Sequence, residues 1–244
     1  MGKSILITGA SRGLGEGMAR QFAARGYKLA LTARSRESLQ DLAATLQGPA
    51  AQVITKTLDV TDFNAIPGVL EECSRKLGGL DIIVANAGVA FNTPSGKGHF
   101  EDMRTTIDVN LTGAIATAEA AIELFRTQGR GQLVGITSVA AARGMRGQGA
   151  YSASKAGFGK YLESLRCETA TEAITITELA PGFIDTDLNK SVPSRPFLVD
   201  AQKGTGIMAD LIERQVGFRY VPPWPWTLVA QFLKLLPTRI LGKM

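Results

Sequence analysis

A phenol and an ammonium stand four residues apart in Ala150-Tyr-Ser-Ala-Ser-Lys-Ala156. The pattern predicts a helix over Tyr151–Thr171, which puts Tyr151 and Lys155 on one face. A positive charge beside a phenol favours phenolate, which lowers the tyrosine from its free value of about 10. A tyrosine tuned in this way can give a proton to a carbonyl oxygen or take one from an alcohol. A solvated surface pair has the same spacing, so the weight of the pair comes from what surrounds it.

The elements that must position the pair follow from hydrophobic patterning. Short β-rich runs at Lys3–Thr8, Lys28–Ala33, Gln52–Leu58, Asp81–Ala85, Gln132–Thr137 and Ile174–Leu179 alternate with helical runs. The helical runs are Leu14–Arg25, Arg36–Leu46, Asn64–Leu77, Phe100–Gln128 and Tyr151–Thr171. Alternation of this kind predicts an α/β fold with a parallel sheet and helices on both faces. The strands are mostly apolar without strict alternation, as a sheet covered on both sides requires. No linker or repeat interrupts the pattern, so residues 1–244 are expected to form a single domain.

The first strand runs into Thr8-Gly-Ala-Ser-Arg-Gly-Leu-Gly15 and then a helix. Glycines 9, 13 and 15 allow a tight turn and close approach of a ligand, and the free amides at the helix start suit a diphosphate. A strand, a Gly-rich turn and a helix together outline the dinucleotide fingerprint, with wider spacing than G-x-G-x-x-G. An acid at the end of the second strand would hold a free adenosine ribose. That position carries Arg34, and Arg12 sits in the glycine loop, so the pair of cations points to a 2′-phosphate. Asp59 after the third strand reads as a helix cap or an adenine contact. Asn86-Ala-Gly88 closes the fourth strand with small residues, Asn110 interrupts an apolar helical stretch, and Ser138 follows the fifth strand.

Composition narrows the function classes. The chain is 45% hydrophobic and 20% charged with a net charge of +5, an ordinary globular balance. Its cations are scattered rather than blocked, which argues against a nucleic-acid footprint and leaves room for anionic ligands. Cys73 and Cys167 form neither metal spacing nor a disulfide framework, so they read as reduced thiols in a cytoplasmic protein. The single His99 reads as a loop residue, and no metal site is expected. No signal peptide, myristoylation signal or membrane span is expected from the sequence.

Taken together, Thr8-Gly9-x-x-x-Gly13-x-Gly15, Asp59, Asn86-Ala87-Gly88, Asn110, Ser138, Tyr151-x-x-x-Lys155, Pro181-Gly182 and Thr186 resemble the short-chain dehydrogenase/reductase family in order and spacing. Ala85 departs from the pattern, since many members carry a second asparagine there. The resemblance implies a Rossmann-like, doubly wound parallel sheet of seven strands in the order 3-2-1-4-5-6-7. It implies reversible hydride transfer between a nicotinamide and a carbonyl or secondary alcohol. It implies a catalytic set of Asn110, Ser138, Tyr151 and Lys155, in which Tyr151 is the acid/base. Lys155 then lowers the tyrosine pKa and holds the nicotinamide ribose, Ser138 hydrogen-bonds the substrate oxygen, and Asn110 anchors a water serving Lys155. The cofactor set it implies is Gly9, Ser11, Arg12, Gly13, Leu14, Gly15, Arg34, Asp59, Val60, Asn86, Ala87, Gly88, Tyr151, Lys155, Pro181, Gly182, Ile184 and Thr186. With Arg34 and Arg12, the cofactor is expected to be NADP.

Residues 183–244 are expected to form the substrate lid and C-terminal segment, with loop Asn189–Val199, helix Asp200–Gly217 and helix Thr227–Leu236. Loops Val89–Phe100, Val139–Gln148 and Phe183–Val199 are expected to line an apolar but mixed pocket. Trp224, Trp226 and the aliphatics up to Leu236 lie near Lys234, Arg239 and Lys243, which suits a packed final helix, a lid or a membrane-leaning surface. The ending is also similar to family members acting on acyl or sphingoid lipids. A homodimer or homotetramer is expected, with Ala114, Ala118, Ala121, Ala156 and Gly159 permitting close helix approach. The leading function is an NADP(H)-dependent ketoreductase on an apolar or acyl-chain substrate. An NADP(H)-sensing regulatory protein on the same fold and a nucleotide-sugar lyase or epimerase are the competing classes; filled catalytic positions disfavour the first, and a short C-terminal segment the second.

Overall fold

The computed structural model describes residues 2–46, 52–190, 192 and 194–242. Positions 191, 193 and 243, which carry parts of the expected lid loop and cationic ending, lie outside the described residues. Seven strands form one all-parallel sheet: β1 (Ser4–Thr8), β2 (Lys28–Ala33), β3 (Val53–Thr57), β4 (Ile82–Ala85), β5 (Gly131–Ile136), β6 (Ile174–Pro181) and β7 (Phe218–Val221). Their order is β3-β2-β1-β4-β5-β6-β7. The chain reverses direction across the sheet between β1 and β4, and their carboxyl ends open the crevice where doubly wound sheets bind ligands.

Strand side chains alternate between two covered faces. Ile5 and Ile7 join Leu29, Leu31 and Val84 under helices α1 (Gly13–Ala24), α2 (Arg36–Thr45) and, later in the chain, residues 201–213. Leu6, Ala30, Ile83 and Leu133 face the other way. They pack against α3 (Ala65–Leu77), α5 (Gly113–Gln128) and α6 (Gly149–Glu168), whose inward residues include Leu70, Phe125, Phe158 and Leu162. Burial on both faces explains why these strands carry continuous apolar runs.

The helical stretch from Phe100 to Gln128 is continuous but not uniform. Helix α4 (Phe100–Ile107) passes into a π-helical turn at Asp108–Thr112 before α5. Single π turns inside α-helices occur often at functional sites, and Asn110 occupies this one. Helix α7 (Ala201–Glu213) is capped by Asp200, whose carboxylate accepts from the Lys203 amide at 2.8 Å. Helix α8 (Pro223–Leu235) packs on β7, and the short α9 (Thr238–Leu241) follows.

Two departures from the sequence reading concern the C-terminal third. Strand β7 was not marked by any alternating run, because Phe218 and Arg219 are exposed and prolines follow directly. Helix α8 begins at Pro223 rather than Thr227, since proline is tolerated in a first helical turn. Trp224 keeps an extended φ/ψ of −103°/132° within that start, so the regular turns begin after it.

Candidate active site

The glycine loop leaves β1 at the switch point. Gly9 and Gly13 hold φ of +64° and +60°, a region that favours glycine. A Cβ on Gly15 would lie 2.3 Å from the Gly9 carbonyl oxygen, so the first helical turn can sit on the loop only with glycine there. Helix α1 starts after an extended Arg12 with no side-chain cap, which leaves its first amides free for an anion. Ser11 and Leu14 flank this opening, and Leu14 packs back onto the core.

The loop is tied to its neighbours by a polar clasp. Asn86 Nδ2 donates to the carbonyls of Thr8 and Gly9 at 2.8 and 3.3 Å. The Thr8 hydroxyl accepts from the Asn86 and Ala87 amides at 3.0 and 3.2 Å and donates to the Val84 carbonyl at 3.2 Å. Asn86 therefore shapes the crevice with its side-chain amide rather than offering that amide to a ligand. On the far side, the Ala10 amide donates to the Thr32 carbonyl at 2.9 Å, which holds the loop against the end of β2. Arg34 is the first residue past β2, and both Arg34 and Arg12 are exposed. Arg12 also adds to the field that holds the Asp187 carboxyl below its ordinary range, after the larger effect of the Lys190 hydrogen bond.

Asp59 is not the cap of α3. Its carboxylate accepts from the Thr61 amide at 3.0 Å and the Thr61 hydroxyl at 2.8 Å, closing an Asx turn, while Asn64 precedes α3. Val60 is buried beside Gly113, where a Cβ would lie 2.6 Å from the Val60 carbonyl oxygen.

Asn110, Lys155 and Gly88 converge. A Cβ on Gly88 would sit 3.3 Å from Asn110 Oδ1 and 3.6 Å from Lys155 Nζ. Asn110 is fully buried, its Oδ1 accepting from the Val89 amide and its Nδ2 donating to the Val89 carbonyl, each at 2.8 Å. That side chain clamps the turn after β4. Lys155 is buried too, and its Nζ donates to the Ile136 carbonyl at 2.9 Å. Burial pulls its pKa down from the ordinary lysine range to about 8. Ser138 caps the 3-10 turn at Val139–Ala142 through the Ala140 amide at 3.1 Å. Its hydroxyl also faces the Tyr151 phenol and favours the phenolate.

The charge on Lys155 was expected to lower the Tyr151 pKa. In the structure burial dominates and pushes the phenol up, and the Ser138 hydrogen bond pulls it partly back. The reason is that Lys155 spends its ammonium on the end of β5 and is itself desolvated. The sequence carried no signal of the burial of Lys155 and Ser138.

The wall opposite comes from the C-terminal segment. Pro181 ends β6 and Thr186 packs beside Gly13, 3.6 Å from where a Cβ there would stand. Ile184 is buried and bridges to Val199. Trp226 lies so close on Gly182 that a Cβ there would stand 2.1 Å from the indole. Phe183 and Phe197 meet the Trp226 ring edge-on at 5.9 and 5.8 Å. Val139 and Ala142, in the turn after Ser138, pack on the same cluster. The aromatic cluster thus joins the loop after Ser138 to the loop after Pro181. The sequence suggested a packed final helix or a lid, but nothing in it paired Trp226 with Gly182.

This arrangement has a clear counterpart. A family model described as short chain dehydrogenase matches residues 3–196. The chain belongs to the short-chain dehydrogenase family. It is an oxidoreductase of that family, whose members bind a nicotinamide cofactor and act on alcohol or carbonyl groups. This short-chain dehydrogenase is 40% identical over 241 residues to an uncharacterized oxidoreductase of Mycobacterium tuberculosis, covering 98% of this chain and 95% of the relative. It is 34% identical over 216 residues to the 3-oxoacyl-[acyl-carrier-protein] reductase of Escherichia coli, covering 88% and 84% of the two chains. Among solved structures, an alcohol dehydrogenase from the archaeon Thermococcus sibiricus, complexed with 5-hydroxy-NADP, superposes with a TM-score of 0.81 at 29% identity. That superposition covers 91% of this chain and 95% of the other.

Among the described residues of the short-chain dehydrogenase, no group of three or more His, Cys, Asp or Glu is disposed to hold a metal. No described helix is long and apolar enough to cross a membrane. Cys73 and Cys167 are both free thiols.

Proposed function

We propose that this short-chain dehydrogenase is an NADP(H)-dependent ketoreductase acting on an apolar or acyl-chain substrate, with 183–244 as its substrate lid and C-terminal segment. The observation that carries the reading is the Tyr151 phenol facing Ser138, with Lys155 tied to Ile136 two residues before that serine, in a chain that also has an uncapped, glycine-built helix start. The crevice fits a nicotinamide dinucleotide. The free first amides of α1, at Gly13, Leu14 and Gly15, would hold the diphosphate. Lys155 would hold the nicotinamide ribose, and Pro181, Gly182, Ile184 and Thr186 the nicotinamide end. Gly88 lies beside Lys155, and Ala87 and Val60 would face the adenosine side.

When bound, the cofactor supplies a hydride to the carbonyl carbon. As that carbon is reduced, negative charge grows on the oxygen. Ser138 and Tyr151 offer two hydroxyl donors to that charge, and the Tyr151 phenol gives up its proton to form the alcohol. The raised phenol pKa keeps Tyr151 protonated at neutral pH, which suits donation in the reductive direction. Asn110 acts as a positioning residue through the Val89 clamp. The Trp226, Phe183 and Phe197 cluster favours an apolar substituent on the ketone, and similarity to 3-oxoacyl-[acyl-carrier-protein] reductases supports an acyl chain.

The cofactor preference rests on Arg34 and Arg12. No acid occupies Thr32, Ala33 or Arg34 to hold a ribose diol or repel a phosphate, Glu37 sits in the first turn of the helix that follows, and both Arg34 and Arg12 are exposed. Hydrogen bonds to charged groups contribute roughly 1.5–3 kcal/mol each, discounted here for exposure. Two give a preference of roughly ten- to several-hundred-fold for NADPH. The test is kcat/KM with NADPH and NADH across 3-oxoacyl thioesters and small diketones, in wild type and Arg34→Asp. NADPH preference in the wild type, reversed in the variant, is the expected result. Equal efficiency in the wild type, or an unchanged ratio in the variant, contradicts it.

A further inference from the structure

Helix α8 has two apolar faces, and only one of them is used. Trp226 and Ala230 point inward and are buried in the cluster on Gly182 and Tyr220. At about 100° per residue, Leu228, Phe232 and Leu235 fall within roughly 60° of one another on the opposite side. They are 59%, 61% and 81% exposed, and Trp224 just before them is 72% exposed. Ile240 in α9 continues the exposed apolar surface. Single exposed hydrophobics are ordinary, but a contiguous stripe of this size marks a surface that something covers.

Charge identifies the occupant. No Asp or Glu follows Glu213, while Arg214, Arg219, Lys234, Arg239 and Lys243 do, so this stretch holds five positive charges and no negative ones. Lys234 and Arg239 are exposed beside the stripe. Arg143 reaches over from the turn after Ser138 and donates to the carbonyls of Lys234 and Leu236 at 3.3 and 2.9 Å, which fixes the end of α8 in place. The apolar face is therefore rigidly presented rather than loose. A second copy of the chain seated face to face here would bring like charges together, with no acid in the stretch to relieve them. A helix with a large apolar face, flanking cations and aromatics suits the boundary between lipid headgroups and acyl chains.

We propose that the outer face of α8 docks on an anionic lipid surface. Trp224, Leu228, Phe232 and Leu235 enter the headgroup–acyl boundary, and Lys234 and Arg239 meet the lipid phosphates. The inner face of the same helix carries Trp226 against Gly182, so docking sets the aromatic wall of the candidate site next to the lipid. The proposal does not depend on the reaction assigned above, because its readout is binding.

The test is flotation of the full-length protein with vesicles of phosphatidylcholine containing about 30% phosphatidylglycerol, against pure phosphatidylcholine, with tryptophan emission followed in parallel. Flotation with the anionic vesicles is expected, with a blue shift as Trp224 leaves water; Trp226 is already buried. Leu228→Glu with Phe232→Glu is expected to reduce vesicle affinity at least about tenfold. Lys234→Glu with Arg239→Glu is expected to abolish the preference for anionic over neutral vesicles. All four positions are exposed, so both variants are expected to keep wild-type melting temperatures, measured alongside. No flotation of the wild type, equal flotation on both vesicles, or unchanged binding by either variant overturns the proposal. So does a wild type that ignores vesicles but drops to monomer mass on Leu228→Glu with Phe232→Glu, since that outcome makes the face a contact between copies. Absence of ketone reduction with intact vesicle binding contradicts the proposed reaction and leaves the docking surface standing.

Discussion

Lys155 shows how position within the fold sets chemistry. The sequence marks it as the partner four residues from Tyr151, yet its environment is that of a buried ammonium tied to the Ile136 carbonyl. With its pKa pulled from the ordinary lysine value of 10.5 to about 8, it is charged at neutral pH and loses that charge within the working range of an assay. The free enzyme's kcat/KM for carbonyl reduction is expected to fall as pH rises through about 8, because kcat/KM reports ionisations of the free enzyme. Tyr151, pushed upward, is not the group that titrates there. A profile that stays flat to pH 10 contradicts this assignment. Stability moves with opposite sign. Below pH 8 the fold bears the cost of the buried ammonium, and between about 8 and 10.5 the unfolded chain binds the extra proton, so stability rises with pH. Lys155→Met is expected to flatten that rise, which amounts to about 3 kcal/mol at most, in urea titrations compared at pH 7 and 10.

Elements are where the sequence was most and least legible. Six strands and the helices from α1 to α6 fell within a few residues of the pattern, because a sheet buried on both faces leaves continuous apolar runs. β7 was hidden because an edge strand of four residues with two exposed positions has too little pattern to read. The π turn at Asp108–Thr112 has no signature in composition, so Asn110 stood out only as a polar residue in an apolar helical stretch and by the resemblance, and its clamp on Val89 was invisible. Asn110→Ala leaves the Val89 amide and carbonyl without partners, a cost of about 2–4 kcal/mol. The melting temperature is expected to fall by about 5–10 °C, read by scanning calorimetry; a fall under about 2 °C would mean that water replaces the clamp. Arg143→Ala removes two hydrogen bonds from the end of α8. Limited proteolysis is expected to cut near Leu236 several times faster, with the core transition little changed. Unaltered cleavage would show that the cap does not hold the helix.

For the molecule as a whole, the parallel sheet was readable from the pattern and the strand order from the resemblance, and the observed sheet agrees with both. The small residues expected to open a helix–helix interface are mostly used inside the chain. Ala118 and Ala121 are fully buried and Ala114 nearly so in the chain's own core, while a Cβ on Gly159 would meet Glu178 Oε1 at 2.9 Å. The three alanines serve internal packing, and Ala156 and Gly159 are the two of the five that remain partly exposed. We retain a homo-oligomer as a proposal on the outer faces of α5 and α6, where Tyr161 bonds Glu119 across the two helices. Light scattering at micromolar concentration is expected to give two or four times the chain mass. A monomer mass contradicts it.

The most direct measurement is single-turnover oxidation of bound NADPH by a 3-oxoacyl thioester in wild type and Tyr151→Phe, with NADPH affinity measured by fluorescence on both proteins. If Tyr151 is the proton donor, the variant keeps near-normal NADPH binding and its rate falls by about two to four decades. A variant rate within a few-fold of wild type would show that the proton comes from elsewhere.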